Sequence, residues 1–229
     1  MKSNIQNLSP IKFLLIFLGY YITGKIGLMV PSLGENVSLI WLPTGIAIAG
    51  LYKFGFKYFP AVFFAAFLIN FSVGSGVFLS SIISIGNTLA PSVAVYLMKK
   101  VKFDVFFKRK KEIRNFLSII SISMLISSLN GSLQLFSESK IEASEIFEST
   151  LLWWLGDTVG AFIAGVPLLT FSKRVWISDF KEEKKYEKLI LLASLLIMGL
   201  LIFGFPPFLN SHIPALLFLP LVLLTWISL

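Results

Sequence analysis

The chain has 229 residues, of which 56% are hydrophobic and only 14% are charged, and its formal net charge is +8. This composition excludes a water-soluble globular domain of the same length, because too little charge is present to cover its surface. The chain has no cysteine and one histidine, so it lacks disulfides, thiolate ligands and a complete donor set for zinc or haem. We therefore predict no metal site and no cofactor.

Eight apolar stretches divide the chain. A helix needs about 20 apolar residues to cross a hydrocarbon core of roughly 30 Å, so eight spans leave room only for short loops. We predict an all-α fold, a polytopic helical membrane bundle that fills residues 1–229 as one domain. The first stretch has no small-residue cleavage pattern and is interpreted as a retained helix. The predicted spans are 11–30, 37–54, 58–73, 77–98, 115–137, 150–171, 189–205 and 212–229.

Basic residues cluster on every second connection. The connections after the second, fourth and sixth spans hold Lys53 and Lys57, eight bases within 99–114 and six bases within 173–188. The intervening connections are acidic, with Glu35 and four glutamates within 138–148. The positive-inside bias predicts that both termini lie in the cytoplasm. The basic loops are expected to contact anionic lipid headgroups, and no nucleic-acid partner is expected.

Two charged side chains, Lys25 and Asp157, fall inside the predicted spans. A charge at a helix centre costs roughly 2.5 to 3.5 kcal/mol on insertion scales, so such a residue usually has a partner or a function. Both lie at similar depths in the outer half of the bilayer. We hypothesise that they face one another or share a ligand; in the alternative interpretation, Lys25 extends to the outer headgroups.

Amide side chains also lie at the midpoint or in the outer half of the predicted spans. Asn70 is near the outer end of helix three, Asn87 is at the midpoint of helix four, and two more lie in the outer half of helix five. Spacings of four, three, four and three predict a polar face on helix five. We expect its serines to pack between helices and its amides to line a pocket open to the outside. The face comprises Ser123, Ser127, Asn130, Gln134 and Ser137.

Prolines interrupt three of the predicted helices. Pro91 removes an amide hydrogen and displaces the carbonyl of Asn87, so a free carbonyl and a carboxamide meet near the bilayer midplane. Such backbone is tolerated in hydrocarbon only when protein, water or ligand satisfies it. We predict further kinks at Pro43 and Pro167.

Small and aromatic residues are expected to shape the packing. Gly156, Gly160 and Ala164 form a stripe that predicts close packing of helix six. Four tryptophans fall near predicted membrane interfaces, where aromatic belts are common: Trp41, Trp153, Trp154 and Trp226.

The sequence holds no P-loop, no glycine-rich dinucleotide fingerprint and no zinc-hydrolase helix motif. A serine beside a base is also missing. We therefore predict no catalytic residue and no enzymatic activity.

Four segments occur in order along the chain. Trp41-Leu-Pro-Thr-Gly-Ile-Ala lies on helix two, and Phe59-Pro-Ala-Val-Phe-Phe-Ala-Ala-Phe-Leu-Ile-Asn70 lies on helix three. Gly86-Asn-Thr-Leu lies on helix four, and Trp153-Trp-Leu-Gly-Asp-Thr-Val-Gly160 continues to Pro167 on helix six. As an ordered set they resemble the membrane-associated sensor domain family of type one, an integral-membrane module of bacterial histidine kinases and of diguanylate cyclases or phosphodiesterases.

The resemblance implies about eight helices, a cytoplasmic C-terminus and a sensory role in two-component or cyclic di-GMP signalling at the bacterial inner membrane. It also implies an output domain after residue 229. In the family an acidic residue commonly follows the Asn-Thr-Leu of helix four, and here Ala90 and Pro91 stand there instead. The positions that match the family pattern are Trp41, Pro43, Gly45, Asn70, Gly86, Asn87, Trp154, Gly156, Asp157, Gly160 and Pro167.

The leading functional hypothesis is a signal-input domain whose helix packing is biased by a small ligand or a partner membrane protein; a homodimer is a further arrangement to consider. Asp157, Asn87 and Asn70 are the first candidates for recognition. The wider set adds Trp41, Trp154, Lys25, Asn130 and Gln134.

Two alternatives belong to other classes. Midplane amides and kinked helices are also features of a small secondary transporter. The basic loop 99–114 would suit a membrane scaffold that recruits partners.

Overall fold

The computed structural model describes residues 8–29, 38 and 40–171, and all regular structure within them is helical. The predicted all-α fold is therefore confirmed for this part of the chain. The seventh and eighth predicted spans and both termini lie outside the described residues, so the count of eight helices and the orientation stay predictions. The helices are α1 Pro10–Gly27, α2 Leu42–Phe54, α3 Phe59–Ser72, α4 Val77–Lys100, α5 Lys110–Ser137, α6 Ile146–Gly160 and α7 Val166–Thr170.

Three continuous helical segments are long and apolar enough to cross a membrane, namely Val77–Lys100, Lys110–Ser137 and Ala143–Thr170. The segment Phe56–Ser72 is apolar but shorter. Large apolar side chains on the outside of α5 recur every three or four residues, which places them on one face toward lipid. They are Ile122, Leu125, Leu129, Leu133 and Phe136. Length and surface together identify a membrane protein.

Helix α2 lies at the centre of the described bundle. It contacts α1, α4, α6 and α7, and eight of its 13 residues are buried. A helix that is apolar all round is expected in such a position, because no side has to meet water. Its small residues let the neighbours approach closely, as at Ala47, Ala49 and Gly50, which are buried.

The start of α2 differs from the sequence prediction. The helix begins at Leu42 rather than at residue 37, and Pro43 lies in its first turn. The first amide groups of a helix have no partner within the helix, so proline there removes no hydrogen bond. The predicted kink at Pro43 is therefore wrong, and Pro43 starts the helix instead.

Two other helices begin before the predicted spans. Helix α5 begins at Lys110 rather than at residue 115, and α6 begins at Ile146 rather than at residue 150. Lysine, arginine and glutamate are good helix formers, so charge ends the apolar span without ending the helix. Glu112 is buried, with only 1% of its surface exposed. Its carboxylate forms an ion pair with Arg109 at 2.6 Å, which helps to hold this end of α5.

The other two prolines lie inside helical segments. Pro91 is within α4, where the Thr88 hydroxyl donates to the Ser84 carbonyl at 2.7 Å and the Ser92 hydroxyl donates to the Thr88 carbonyl at 2.7 Å. Pro167 follows a π-helical segment, Ala161–Gly165, that joins α6 to α7. Short π segments inside α-helices are frequent at functional sites.

Aromatic rings fill one end of the bundle. Phe116 of α5 lies 5.2 Å from Phe162 of the π segment and 5.3 Å from Phe107 of the α4–α5 connection, measured between ring centroids. Phe103 joins the same cluster, 5.2 Å from Phe107. These contacts tie the π segment to the basic connection between α4 and α5.

Candidate functional site

Asp157 lies in the middle of the bundle and joins three helices. Its side chain is 2% exposed. The Thr44 hydroxyl of α2 donates to one carboxylate oxygen at 2.5 Å, and the Ser127 hydroxyl of α5 donates to the other. In the described part of the chain, the side chains that form hydrogen bonds to this acid are these two hydroxyl-bearing residues. We call Asp157, Thr44 and Ser127 the polar junction.

Glycines allow α2 and α6 to meet at backbone distance next to the junction. The Trp41 amide donates to the Gly156 carbonyl at 3.0 Å. A methyl group added at Gly45 would lie 2.5 Å from the Gly160 carbonyl oxygen, and one added at Gly160 would overlap the Trp41 carbonyl. Close approach through small residues is a common way to pack membrane helices, and here it fixes the height of Asp157 against Thr44.

A cavity lies on one side of the polar junction. Its lining extends from Ser75, before α4, to Asn87, which is ten residues into that helix and so about 15 Å along it. The cavity has a volume of about 50 Å³. It is lined by Leu28, Ser38, Trp41, Ile69, Asn70, Val73, Ser75, Ile83, Asn87, Leu135 and Trp153.

Two predicted amides, Asn70 and Asn87, meet in this cavity. The Asn70 amide donates to the Ala66 carbonyl of its own helix at 2.9 Å. Asn87 is 7% exposed, and its side-chain oxygen has no hydrogen-bond partner among the described residues. Trp41 borders the same cavity. Asn87 and Asp157 are both neighbours of Tyr20, although Asp157 is not part of the cavity wall.

The two amides of helix five lie elsewhere. Asn130 donates to the Ile82 carbonyl of α4 at 2.8 Å and packs against Gly86. Gln134 is half-buried and interacts with Ser137 on its own helix. The assignment of these two amides to the pocket is therefore wrong, because neither lines the cavity, whereas Ser127 makes the expected hydrogen bond between helices. Ser127 reaches the buried acid because its face turns toward α6, whereas Asn130 turns toward α4.

Lys25 and Asp157 form no ion pair. The Lys25 ammonium donates to the Ser72 hydroxyl at 3.0 Å at the exposed end of α3. The predicted direct pair is wrong because equal depth does not place two side chains on facing sides of their helices. The long, flexible lysine side chain instead extends toward the end of the bundle.

Three tryptophans contact neighbouring helices of the described bundle. Trp154 donates from its indole nitrogen to the Ser121 carbonyl at 2.7 Å and so links α6 to α5. Trp153 borders the cavity and packs against Gly131. Trp226 lies outside the described residues. Trp41, Trp153 and Trp154 are half-buried, so their contacts with neighbouring helices do not decide their depth, and the belt interpretation stays a prediction.

Four residues of the site were not among the candidates for recognition that the sequence predicted. Thr44 was visible within the Trp-Leu-Pro-Thr-Gly segment, and Ser127 was visible on the polar face of α5. Trp153 was visible only as an interface residue. Tyr20 carries no sequence signal, yet it is fully buried, lies near Asp157, and has its hydroxyl within reach of the Trp41 and Asn87 side chains.

The arrangement of the site is suited to recognition and to coupling of helices. The described residues contain no group of three or more metal-ligating side chains. Asp157 is the one acid at the junction, and its neighbours are two hydroxyls. Such a constellation can hold helices in register and offers polar contacts to a bound molecule.

Comparison with known proteins places the chain in a family. We found no match to it among curated proteins or among solved structures. The MASE1 family model matches residues 13–228, which is nearly the whole chain. The chain therefore belongs to the MASE1 family, whose members are membrane-associated sensor domains found in histidine kinases and diguanylate cyclases.

Proposed function

We propose that this chain is the signal-input domain of a bacterial inner-membrane signalling protein, with both termini in the cytoplasm. It receives an extracytoplasmic or intramembrane stimulus and transmits a conformational change to an output of the two-component or cyclic di-GMP type. The domain itself catalyses no reaction. The observation that carries the proposal is the polar junction, where one buried acid holds three helices together.

The π segment supplies a second arrangement for these helices. It begins four residues after Asp157, at Ala161. A π turn holds one residue more than an α turn, so displacing it along the helix rotates the residues between its old and new positions. A signalling domain needs such a two-state element, because a stimulus acts only by favouring one state over the other.

Aromatic contacts lead from this element toward the output side. Phe162 of the π segment packs on Phe116, which in turn packs on Phe107 of the connection between α4 and α5. A change of register at the π segment would therefore move the rings that support this connection. The core here is densely packed, and packed elements move in discrete steps rather than by gradual deformation.

The distribution of polar groups supports a sensor over a transporter. Beyond the polar junction, the described core toward the ends of α2 and α4 is built mainly from apolar side chains such as Leu51, Met98 and Ile120, and its buried charge, Glu112, is paired with Arg109 at the edge. A carrier needs polar groups that continue to the opposite side. Flux of a substrate into proteoliposomes would favour the carrier.

We propose two kinds of partner. Lys108, Lys110 and Lys111 are exposed at the connection between α4 and α5, where anionic lipid headgroups would bind them at about 1 kcal/mol per base. The exposed apolar faces of the helices would contact a partner membrane protein or a second copy of the chain.

The test is a chimera of residues 1–229 with a diguanylate cyclase reporter, in which cyclic di-GMP is measured at matched expression. Ser127→Ala removes one bond of the junction. A hydrogen bond between membrane helices contributes about 0.6 to 1.7 kcal/mol, so the ratio of the two signalling states should change by about 3- to 18-fold.

Ser128→Ala is the matched control. Ser128 is equally buried, but its hydroxyl donates only to the Leu125 carbonyl of its own helix. The reporter output should stay near wild type in this variant. The proposal fails if Ser127→Ala and Ser128→Ala have the same output as the unmodified chimera.

A further inference from the structure

Three buried polar atoms near the cavity lack partners among the described residues. They are the Tyr20 hydroxyl, the Trp41 indole nitrogen and the Asn87 side-chain oxygen. The Tyr20 side chain is fully buried, and Asn87 is 7% exposed. A buried polar group without a partner costs about 1 to 3 kcal/mol. The Tyr20 hydroxyl lies within reach of the Trp41 and Asn87 side chains, and these two side chains also line the cavity, where a bound molecule would complete their polar atoms.

The three atoms define a complementary ligand. The Trp41 nitrogen can only donate, the Asn87 oxygen can only accept, and the Tyr20 hydroxyl can do either. Rotation of the Asn87 carboxamide about χ2, a torsion with broad preferences, presents its oxygen to the cavity. A group that carries both an acceptor and a donor, such as a carboxamide or a hydroxyl, satisfies this set.

The remaining lining specifies a neutral molecule. No charged side chain lines the cavity among the described residues, and much of the wall is apolar, with Leu28, Ile69, Val73 and Ile83. An anion would lose its hydration without gaining a charged donor. A cation would have to reach Asp157, whose two carboxylate oxygens already accept hydrogen bonds from Thr44 and Ser127.

The size of the cavity limits the ligand. A water molecule needs about 10 to 15 Å³ by this measure, so about 50 Å³ holds several waters or a few heavy atoms. We propose that the cavity binds a small, uncharged ligand group that has both a hydrogen-bond donor and an acceptor, with Asn87 and Trp41 as its direct contacts. This proposal rests on the sensor function and names the chemistry of its stimulus.

The experiment measures binding directly on the full chain in lipid nanodiscs, using butyramide as the probe. Butyrate at pH 8 is the control, because it has nearly the same shape but carries a charge and no donor. Ligand-observed NMR should show saturable binding of butyramide and at least tenfold weaker binding of butyrate. Equal affinity for the two, or no saturable binding of butyramide, would overturn the proposal.

Variants separate recognition from folding. Trp41→Phe and Asn87→Leu should each weaken butyramide binding by about tenfold, the effect of one lost hydrogen bond. Trp154→Phe is the matched control, because its indole nitrogen bonds to Ser121 away from the cavity. This control should bind butyramide like the wild type.

Thermal unfolding without the probe gives a second readout. Trp41→Phe should keep or raise Tm, because it removes a buried polar atom that has no hydrogen-bond partner among the described residues. Trp154→Phe should lower Tm. If Trp41→Phe lowers Tm as much as Trp154→Phe does, the Trp41 nitrogen is already satisfied in the folded protein and the proposal is overturned. Failure here would leave the reporter result for Ser127 unaffected, so the two proposals are tested separately.

Discussion

Removal of the Asp157 carboxylate should loosen the attachment of α2 to α6. Asp157→Ala deletes the acceptor of two interhelical hydrogen bonds, from Thr44 and from Ser127. Each such bond contributes about 0.6 kcal/mol on average and up to about 1.7 kcal/mol, so the total loss should be about 1 to 3 kcal/mol. The Ser127 hydroxyl can turn fully to the Met124 carbonyl, which is 3.0 Å away. Most of the loss should therefore come from Thr44.

A double-mutant cycle isolates the Thr44 contribution. Thr44→Val, Asp157→Ala and the double variant are unfolded reversibly in mild detergent, and the free energy of unfolding is compared with that of the wild type. The expected coupling energy is about 0.6 to 1.7 kcal/mol. Thr88→Val is the matched control, because this buried threonine donates to the Ser84 carbonyl of its own helix. With Asp157→Ala it should be additive within about 0.5 kcal/mol.

Additivity of Thr44→Val with Asp157→Ala would refute the reasoning. It would mean that the two side chains do not depend on each other in the folded protein, even though both are buried. A coupling of the same size in the Thr88 cycle would refute it as well, because the effect would then reflect a general loosening of the core.

Further predictions concern packing and topology. Gly160→Ala should destabilise the fold by more than about 3 kcal/mol, because its methyl group would overlap backbone at the start of α2. The control Gly76→Ala has open space around the added methyl group and should change the free energy of unfolding by less than about 0.5 kcal/mol. Equal effects of the two substitutions would contradict the packing. Phe116→Ala should cost about 3 to 5 kcal/mol in the same detergent unfolding assay, and a loss below about 1 kcal/mol would contradict its place in the aromatic cluster. Because the chain has no cysteine, Ser144→Cys should react with an impermeant maleimide added outside cells and Lys108→Cys should not; the reverse pattern would invert the proposed orientation.

The sequence alone was sufficient for much of the architecture. Apolar patterning predicted helices, and the first six predicted spans each overlap a described helical segment, although only three of these segments are long and apolar enough to cross a membrane. It also singled out Asp157 and Asn87, because polar groups are costly within hydrocarbon and stand out from an apolar background. Helix ends were less predictable: Pro43 suits a first turn as well as a kink, and Lys110 continues a helix that the apolar pattern had already ended.

The tertiary structure decided which polar groups meet. Periodicity shows that residues share a face, as on α5, but it does not show which helix that face meets. Ser127 therefore turned out to bond to Asp157, while Asn130 bonds to α4. The Thr44–Asp157 bond joins positions 113 residues apart, and Lys25 at the same predicted depth points elsewhere. The depth of a residue can be predicted from its position along the chain, whereas the rotation of each helix about its axis is fixed only when all the neighbouring helices pack together.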